Sequence, residues 1–515
     1  MLIRRRFLTS LALPFGLAAA PARAQPESFG FEDVARQARV LAAQPWQPAP
    51  PPDATRAALD YDAVRRIRFR SGQALWRGTP FEMHFFPVAG YHTRALTLFE
   101  IVDGRPRPLR LATDAFDLDG VLPEPPPGTS PGVAGWRLTY PLHHSAKRDE
   151  VVAFLGASYF RALGTDQRYG LSARALAVDT VGGAGGEEFP HFTHFWFEPP
   201  AAGARHVVFH ALLDGPRVAG AYRFELHPGN ATRVEVRARL YLRGPVAMLG
   251  IAPLTSMYLH GELQTQRDDF RPEVHDSDGL QIEAANGEWI WRPLSNPRAP
   301  FVSAFAFDRA PKGFGLMQRD RAFSSYEDVE ARYDRRPSAW VEPVGDWGAG
   351  RVELLQFHTP DETHDNIAAY WVPGVLPGPG APLDLAWRIH WQGDAMRVPP
   401  GARVVQTRSG YGYSRTPVPP QRRKLLLDFS GPGLPRADAS PDDPAVKAIE
   451  AVATVANDNA KLLRVNAYPN PALPGWRATI EFERLDPTRP VELRVFLRNG
   501  ANAISETWSY ALHAD

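Results

Sequence analysis

Apolar residues recur along this chain at two periods, and the change between them comes early. Phe31, Val34, Ala35, Ala38 and Leu41 fall at helical spacing, which predicts one short helix ending before Pro45. A proline-rich connector follows, Pro48 to Pro52. From about Ile67 the period becomes two. Phe81, Met83 and Phe85 alternate with polar neighbours, and Leu96 and Leu98 flank Thr97 ahead of an Asp103-Gly104 turn. The clearest hairpin runs through Tyr222, Phe224 and Leu226, turns at Pro228-Gly229-Asn230, and returns through Val234, Val236, Ala238, Leu240 and Leu242. Strict alternation about a glycine-containing loop is an antiparallel signal. Leu385, Trp387, Ile389 and Trp391 continue the pattern. No long helical periods separate the strands, which disfavours a doubly wound parallel sheet.

Composition shifts between Val372 and Pro382, and again between Pro399 and Pro420. The second shift follows a strong strand and is rich in Pro, Gly and Arg, so it is the better boundary. It predicts one domain over 25–398 and another over 399–515. In the second, Leu425 to Leu427 reads as a strand. So do the alternating sets Trp476-Ala478-Ile480-Phe482, Val491-Leu493-Val495-Leu497 and Trp508-Tyr510-Leu512. Short strands with turns over this length suggest a small immunoglobulin-like sandwich, without the Cys-Trp-Cys hallmark. A short helical period, Val446 to Val455, is expected to interrupt it.

Composition narrows the function. The chain has 515 residues with 58 basic and 57 acidic side chains, for a net charge of +1. That balance argues against a dedicated nucleic-acid binder, which needs surplus Lys and Arg. Thirteen Trp, 15 Tyr and 28 Phe argue against disorder. There is no cysteine, which excludes disulfides, thiolate metal sites and cysteine nucleophiles. Residues 1–24 read as an export signal: Arg4 to Arg6, an apolar stretch from Phe7 to Ala20, and Ala22-Arg23-Ala24 as a cleavage site. The run from Arg4 to Leu8 fits a twin-arginine signal. No later segment reaches the roughly 18 apolar residues that span a bilayer. The expected location is the periplasm, without membrane insertion.

There is no P-loop, dinucleotide fingerprint, G-x-S-x-G elbow or H-E-x-x-H. Asp276-Ser277-Asp278-Gly279 departs from a calcium loop in glycine position and lacks the closing Glu. His191 and His194 are three apart, the wrong spacing for one strand face. No metal and no cofactor is expected. Instead, Arg271 to Trp371 interleaves five tryptophans with acids and arginines. Aromatic faces cover the apolar side of a pyranose, and carboxylates and guanidinium groups take its hydroxyls. Glycoside cleavage needs two carboxyl groups, one held as acid and one as base or nucleophile. Two places stand out. One is Arg271 to Leu280, where Glu273, Asp276 and Asp278 crowd together and Asp276 and Asp278 would share a face of a strand. The other is Thr363-His364-Asp365-Asn366, just before the apolar run Ile367 to Trp371.

At these residues the chain resembles the periplasmic glucan biosynthesis proteins G and D of proteobacteria, the osmoregulated periplasmic glucan family. The resemblance rests on long blocks: FLGASYFRALG (154–164), YGLSARALAVDT (169–180), RPEVHDSDGL (271–280), GEWIWRPL (287–294), RRPSAWVEPVGDWG (335–348) and ETHDNIAAYW (362–371). It implies an all-β fold: a large galactose-mutarotase-like β-sandwich followed by a small immunoglobulin-like sandwich. It implies action on β-1,2-glucan by an inverting glycoside hydrolase or a transglycosylase, with Asp365 as general acid and Asp276 as the base-side carboxylate. Glu273, Trp289, Arg292, Trp347 and Tyr370 are the candidate subsite residues. The signal resembles the D branch more than the G branch. A homodimer and an inner-membrane glucan synthase partner are compatible with the resemblance. The rival reading is a non-catalytic glucan-binding or assembly factor. A mutarotase or epimerase is suggested by fold analogy alone.

Overall fold

A computed structural model describes residues 28–514 apart from 51, 124–125, 127–131, 145–146, 184, 267, 394, 437 and 439–442. The expected export signal lies outside the described residues. The expected first helix forms over Phe31–Ala42 and buries Phe31, Val34, Ala35 and Ala38. That stripe lies on the outer face of a sheet, against Trp196, Leu212, Ala221 and Tyr241. Asp33 accepts the Gly30 N–H at 2.8 Å and so caps the helix start.

Apart from a few short helical turns, the remaining regular elements are strands. One ten-stranded sheet carries, in neighbouring order, Asp149–Leu155, Tyr159–Ala162, Ser172–Arg174, Leu249–Ser256 and Ile367–Pro373. A second sheet, of fifteen strands, passes through Gly313–Met317, Ser338–Val344, Pro382–Gln392, Thr232–Leu242 and Val218–His227. The hairpin expected at Pro228-Gly229-Asn230 is present, with Leu226 opposite Val234. Period-two alternation turns one row of each strand inward, and the rows meet in an aromatic core. Trp136 is fully buried there, stacked on Phe154 at 4.5 Å and met edge-on by Phe195, Phe197 and Phe209. The all-β sandwich is therefore the observed class.

The C-terminal region has a four-stranded sheet of Arg403–Ser409, Arg422–Ser430, Gly475–Arg484 and Ala460–Asn470. Its apolar face meets Ile449–Val455, Val491–Asn499 and Thr507–Leu512 around Leu427, Trp476, Ile480, Leu493 and Trp508. Those three strands are not a separate sheet. Thr507–Leu512 pairs in parallel with Trp289–Pro293, placing Trp291 beside Trp508, so the fifteen-stranded sheet runs on into this region. The helix expected over Val446 to Val455 shrinks to Pro444–Lys447. Ile449–Val455 is a strand paired with Val491–Asn499. Ile449, Val452, Thr454 and Val455 are β-branched and fit a pleated surface better than a helix once a partner strand is present.

Ion pairs brace the junction. Arg292, 2% exposed, donates from Nη1 and Nη2 to the two Glu492 oxygens at 2.7 and 3.0 Å. It also reaches Ser303 and Ser509. Arg319 does the same with Glu506 at 2.7 and 2.8 Å while lying over the Trp291 ring. Breaking a buried pair from one side strands the other charge. Because Glu492 is 27% exposed, Arg292→Met is expected to lower unfolding free energy by roughly 1–3 kcal/mol, read as a fall in the denaturant midpoint. An unchanged midpoint would contradict this role.

Candidate functional site

Asp276 and Asp365 are far apart in sequence but are held from two adjacent residues. The Asp276 N–H donates to the Met257 carbonyl at 2.9 Å, just after the strand Val274–His275. Asn366, next to Asp365, accepts the Tyr258 N–H at 2.8 Å and returns a bond from Nδ2 to the Tyr258 carbonyl at 3.0 Å. A third bond, to the Phe357 carbonyl at 2.9 Å, closes the loop on itself. Asn366 is buried; Asp365 is open to solvent.

Two arginines, Arg161 and Arg336, act on both carboxylates. Arg336 Nε lies 3.5 Å from Asp276 Oδ1, too far for a good hydrogen bond, and that oxygen is buried with no hydrogen-bond partner. Arg161, on the strand Tyr159–Ala162, is fixed by its Nε–H to Ser172 Oγ at 2.6 Å. Arg336 donates to the Tyr169 carbonyl and lies over the Tyr333 ring. Gly170 makes that approach feasible, since a Cβ there would come within 3.0 Å of Arg336 Cδ. Burial pushes the Asp276 carboxyl up; Arg336 opposes this and Asp365 adds to it. Although Asp365 is open to the cleft, protein crowds it on most sides. That desolvation raises its carboxyl, against the pull of Arg161 and Arg336.

Asp365 lines a cleft of about 550 Å³ with Tyr91, His92, Tyr159, Arg161 and Tyr169. Tyr91 is 95% exposed at the rim. Through Tyr91, His92 and Tyr159 the cleft adjoins a hollow of about 250 Å³ that reaches Arg94 and His191. Those two residues also line a further hollow of about 420 Å³ with Trp46, Glu187 and Phe189. The result is a groove with Asp365 at one end.

Asp276 itself is buried and does not line this groove, and the five other sequence-predicted residues also lie outside it. Glu273, 8% exposed, accepts from His275 Nε2 at 2.9 Å in a buried acidic cluster. Trp289 stacks on Trp340 in the core shared with the C-terminal region. Arg292 is the junction residue paired with Glu492. Trp347 is buried against Trp371 and Trp387 and bonds the Ala386 carbonyl at 3.0 Å. Tyr370 is fully buried in a small core with Ala177 and Leu355. Asp276 and Asp278 do not share a face either. Asp278 turns away, accepting the Asp320 N–H at 3.0 Å, because the chain bends between Val274–His275 and the next strand, Gly279–Glu283. His194 stacks with Phe99 and Trp196, a structural position. Arg161 and Arg336 escaped the sequence reading, though both stand in blocks that carry the family resemblance.

The acidic cluster joins Glu262, Glu273, Asp278 and Asp320 to His275 at a small cavity beside Val404 and Thr407. Two triplets, Glu273-His275-Asp278 and Glu262-Glu273-Asp320, hold their ligand atoms within 4.8 Å of one another. Burial opposes charge on His275, but Asp278, Glu273 and Asp320 outweigh it and raise the imidazole to about 9. An imidazolium therefore serves as counter-charge to these carboxylates. Burial, with Asp278 and Glu273 adding, pushes Asp320 up to about 8. Burial also lifts Glu262 to about 7 against Arg408.

An all-β sandwich with an acidic, arginine-braced groove rimmed by tyrosines has the make-up of a sugar-handling surface. The sequence comparisons are narrower. The family described as periplasmic glucan biosynthesis protein, MdoG, matches residues 29–512. A "Glucans biosynthesis protein G" of Ralstonia nicotianae is 48% identical over 98% of this chain and 99% of its own length. Proteins of the same name from Pseudomonas aeruginosa and Pectobacterium atrosepticum are 43% and 42% identical. They cover 95% and 98% of this chain, and 93% and 96% of their own lengths. The chain belongs to the periplasmic glucan biosynthesis family. The expected preference for the D branch is not supported, since these relatives carry the G name. Among the described residues no helix is long and apolar enough to cross a membrane.

The buried acids give a pH dependence with a definite sign. Folded Asp320 keeps its proton to about pH 8, whereas the unfolded chain releases it near 3.8. Unfolding between those values releases a proton, so this group's contribution to stability falls as pH rises. Asp320→Asn is expected to flatten the loss of stability between pH 5 and pH 8, with little change near pH 4. Parallel denaturation curves for both proteins across that range would remove Asp320 as the cause.

Proposed function

We propose that this chain acts in the periplasm on linear β-1,2-glucan, as an inverting glycoside hydrolase or as a transglycosylase. The observation that supports this is that Asp276 and Asp365 both feel the same two guanidinium groups, with Asp365 at one end of a groove. Asp365 gives a proton towards the leaving oxygen, directly or through a sugar hydroxyl, as the glycosidic C–O bond breaks. The raised carboxyl suits that task, because a general acid must still hold its proton near working pH. Asp276 takes the proton from the nucleophile, water or a sugar hydroxyl, as its oxygen bonds to the anomeric carbon. Its Oδ1 is buried 3.5 Å from Arg336 Nε and makes no hydrogen bond in the resting chain. Arg161 and Arg336 keep two neighbouring carboxyl groups from repelling one another out of the site.

A second reading is favoured by the relatives' printed name, which speaks of glucan biosynthesis. On it, the groove guides a nascent glucan and Asp365 has no chemical role. Incubation of the protein with linear β-1,2-glucan, beside Asp365→Asn, separates the two. Short linear products indicate a hydrolase, and cyclic or longer products a transglycosylase. In either case the variant is expected to turn over about 10²–10⁴-fold more slowly with glucan affinity retained. Glucan left unaltered by the unmutated chain, but still bound, moves the function to assembly.

A further inference from the structure

On the reading of Asp276 and Asp365 given above, we propose that Arg271 is the positioning residue that registers the two carboxylates against each other. Asp365 ends a short stretch, 361–365, whose residues are all exposed. The bonds inside that stretch are local. Thr363 N–H and Oγ1–H both donate to Asp361 Oδ1, at 2.9 and 2.5 Å, and His364 Nδ1 lies 3.0 Å from Thr363 Oγ1. They stiffen the turn without tying it to the rest of the molecule. On its far side the turn is anchored by Asn366. On its near side the Asp361 carbonyl accepts from Thr359 Oγ1 at 2.6 Å, with Thr359 held by Asn296, and the charged tie from the turn to another segment is a hydrogen bond from Arg271 Nη1 to Glu362 Oε2 at 2.7 Å.

The same guanidinium braces its own segment through Asp269 and holds one more segment through Asp328. Arg271 Nε and Nη2 donate to Asp269 Oδ1 and Oδ2 at 3.0 and 2.8 Å, and Nη1 reaches Asp328 Oδ2 at 3.1 Å. Asp269 is steadied in turn by the Arg271 N–H at 3.0 Å and faces His260 Nε2 at 3.4 Å. Its bonds from Arg271 hold that carboxyl well below the usual carboxylate range, so the clasp stays charged. Each partner segment leads to the site. Arg271 itself begins the run that carries Asp276. Asp328 precedes the turn Tyr333–Arg335, after which comes Arg336, the neighbour of Asp276. Glu362 belongs to the turn that ends at Asp365. One planar fork therefore sets the angles among the segments bearing the base, its arginine and the acid. A lysine, as a point charge on a flexible stem, cannot reproduce three such directions.

The test is hydrogen exchange by mass spectrometry on the full chain, following peptides that cover 361–366, together with steady-state turnover of linear β-1,2-glucan. Glu362→Ala changes an exposed turn and leaves the fold intact. Arg271→Lys removes the fork, and Glu362→Gln keeps an acceptor. Glu362→Ala and Arg271→Lys are expected to speed exchange in 361–366 by about tenfold. They are expected to lower kcat by about 10- to 10²-fold with KM moved less than about twofold, the pattern of a displaced reacting group. Glu362→Gln should recover part of both, and the double variant should be no worse than the weaker single one. Unchanged exchange in both Glu362→Ala and Arg271→Lys overturns the clasp whatever the turnover. Faster exchange with unchanged kcat overturns its positioning role. Faster exchange in a chain that never cleaves glucan upholds the clasp and removes the enzymatic reading instead.

Discussion

The candidate site depends on the short backbone junction at Met257 and Tyr258. Asp276 hangs from the carbonyl of one residue, and Asn366, beside Asp365, is bonded through both the N–H and the carbonyl of the other. Backbone hydrogen bonds are directional and nearly obligatory in a buried setting. Two segments bonded to adjacent residues therefore have little freedom to drift apart. This junction lies between the buried strands Leu249–Ser256 and Tyr258–His260. The geometry of the two carboxylates is thus inherited from the sandwich itself, not from the loops alone.

A second constraint follows from the first. The run from Glu273 to Asp278 carries four ionisable groups with little exposure. Charges in such a place need partners, or they neutralise. The structure uses both remedies, and each brings in remote chain. Arg336 and Arg161 act on Asp276 and Asp365. His275 takes a proton to balance Glu273 and Asp278, while Asp320 holds its own proton. Glu262 receives the Thr407 N–H and Arg408, so the same acidic cluster also seats the C-terminal sheet. The crowding that looks costly in one segment is what gathers the surrounding segments to it.

Aromatic density is the feature that sequence reasoning and structure divide most sharply. Five tryptophans between Arg271 and Trp371 suggested sugar platforms. Trp289, Trp340, Trp347 and Trp371 are instead core, stacked on one another or capped by backbone. A sandwich this large needs wide side chains to fill the space between its sheets, and tryptophan burial meets that need. The rings that line the groove come from earlier segments: Tyr91, Tyr159 and Tyr169 beside Asp365, and Trp46 and Phe189 further along. No local pattern separates a tryptophan turned inward from one turned to a ligand, because alternation gives two faces without saying which is wet.

The sequence by itself determined the all-β class, the opening helix, the main hairpin and most C-terminal strands. These depend on local periodicity and turn residues, which act over a few positions. It also singled out Asp276 and Asp365, through long family blocks rather than through any spacing between them. Only the tertiary structure decided that Ile449–Val455 is a strand, because its partner Val491–Asn499 is distant in sequence. Only the structure turned Asp278 away from Asp276, placed Arg292 at a junction, and brought Arg161 to the groove and Arg336 beside Asp276. Each of those outcomes is a pairing between segments far apart in the chain. Such pairings are set by sheet register and by the charge balance of buried groups, quantities that exist only once the sheets have closed on one another.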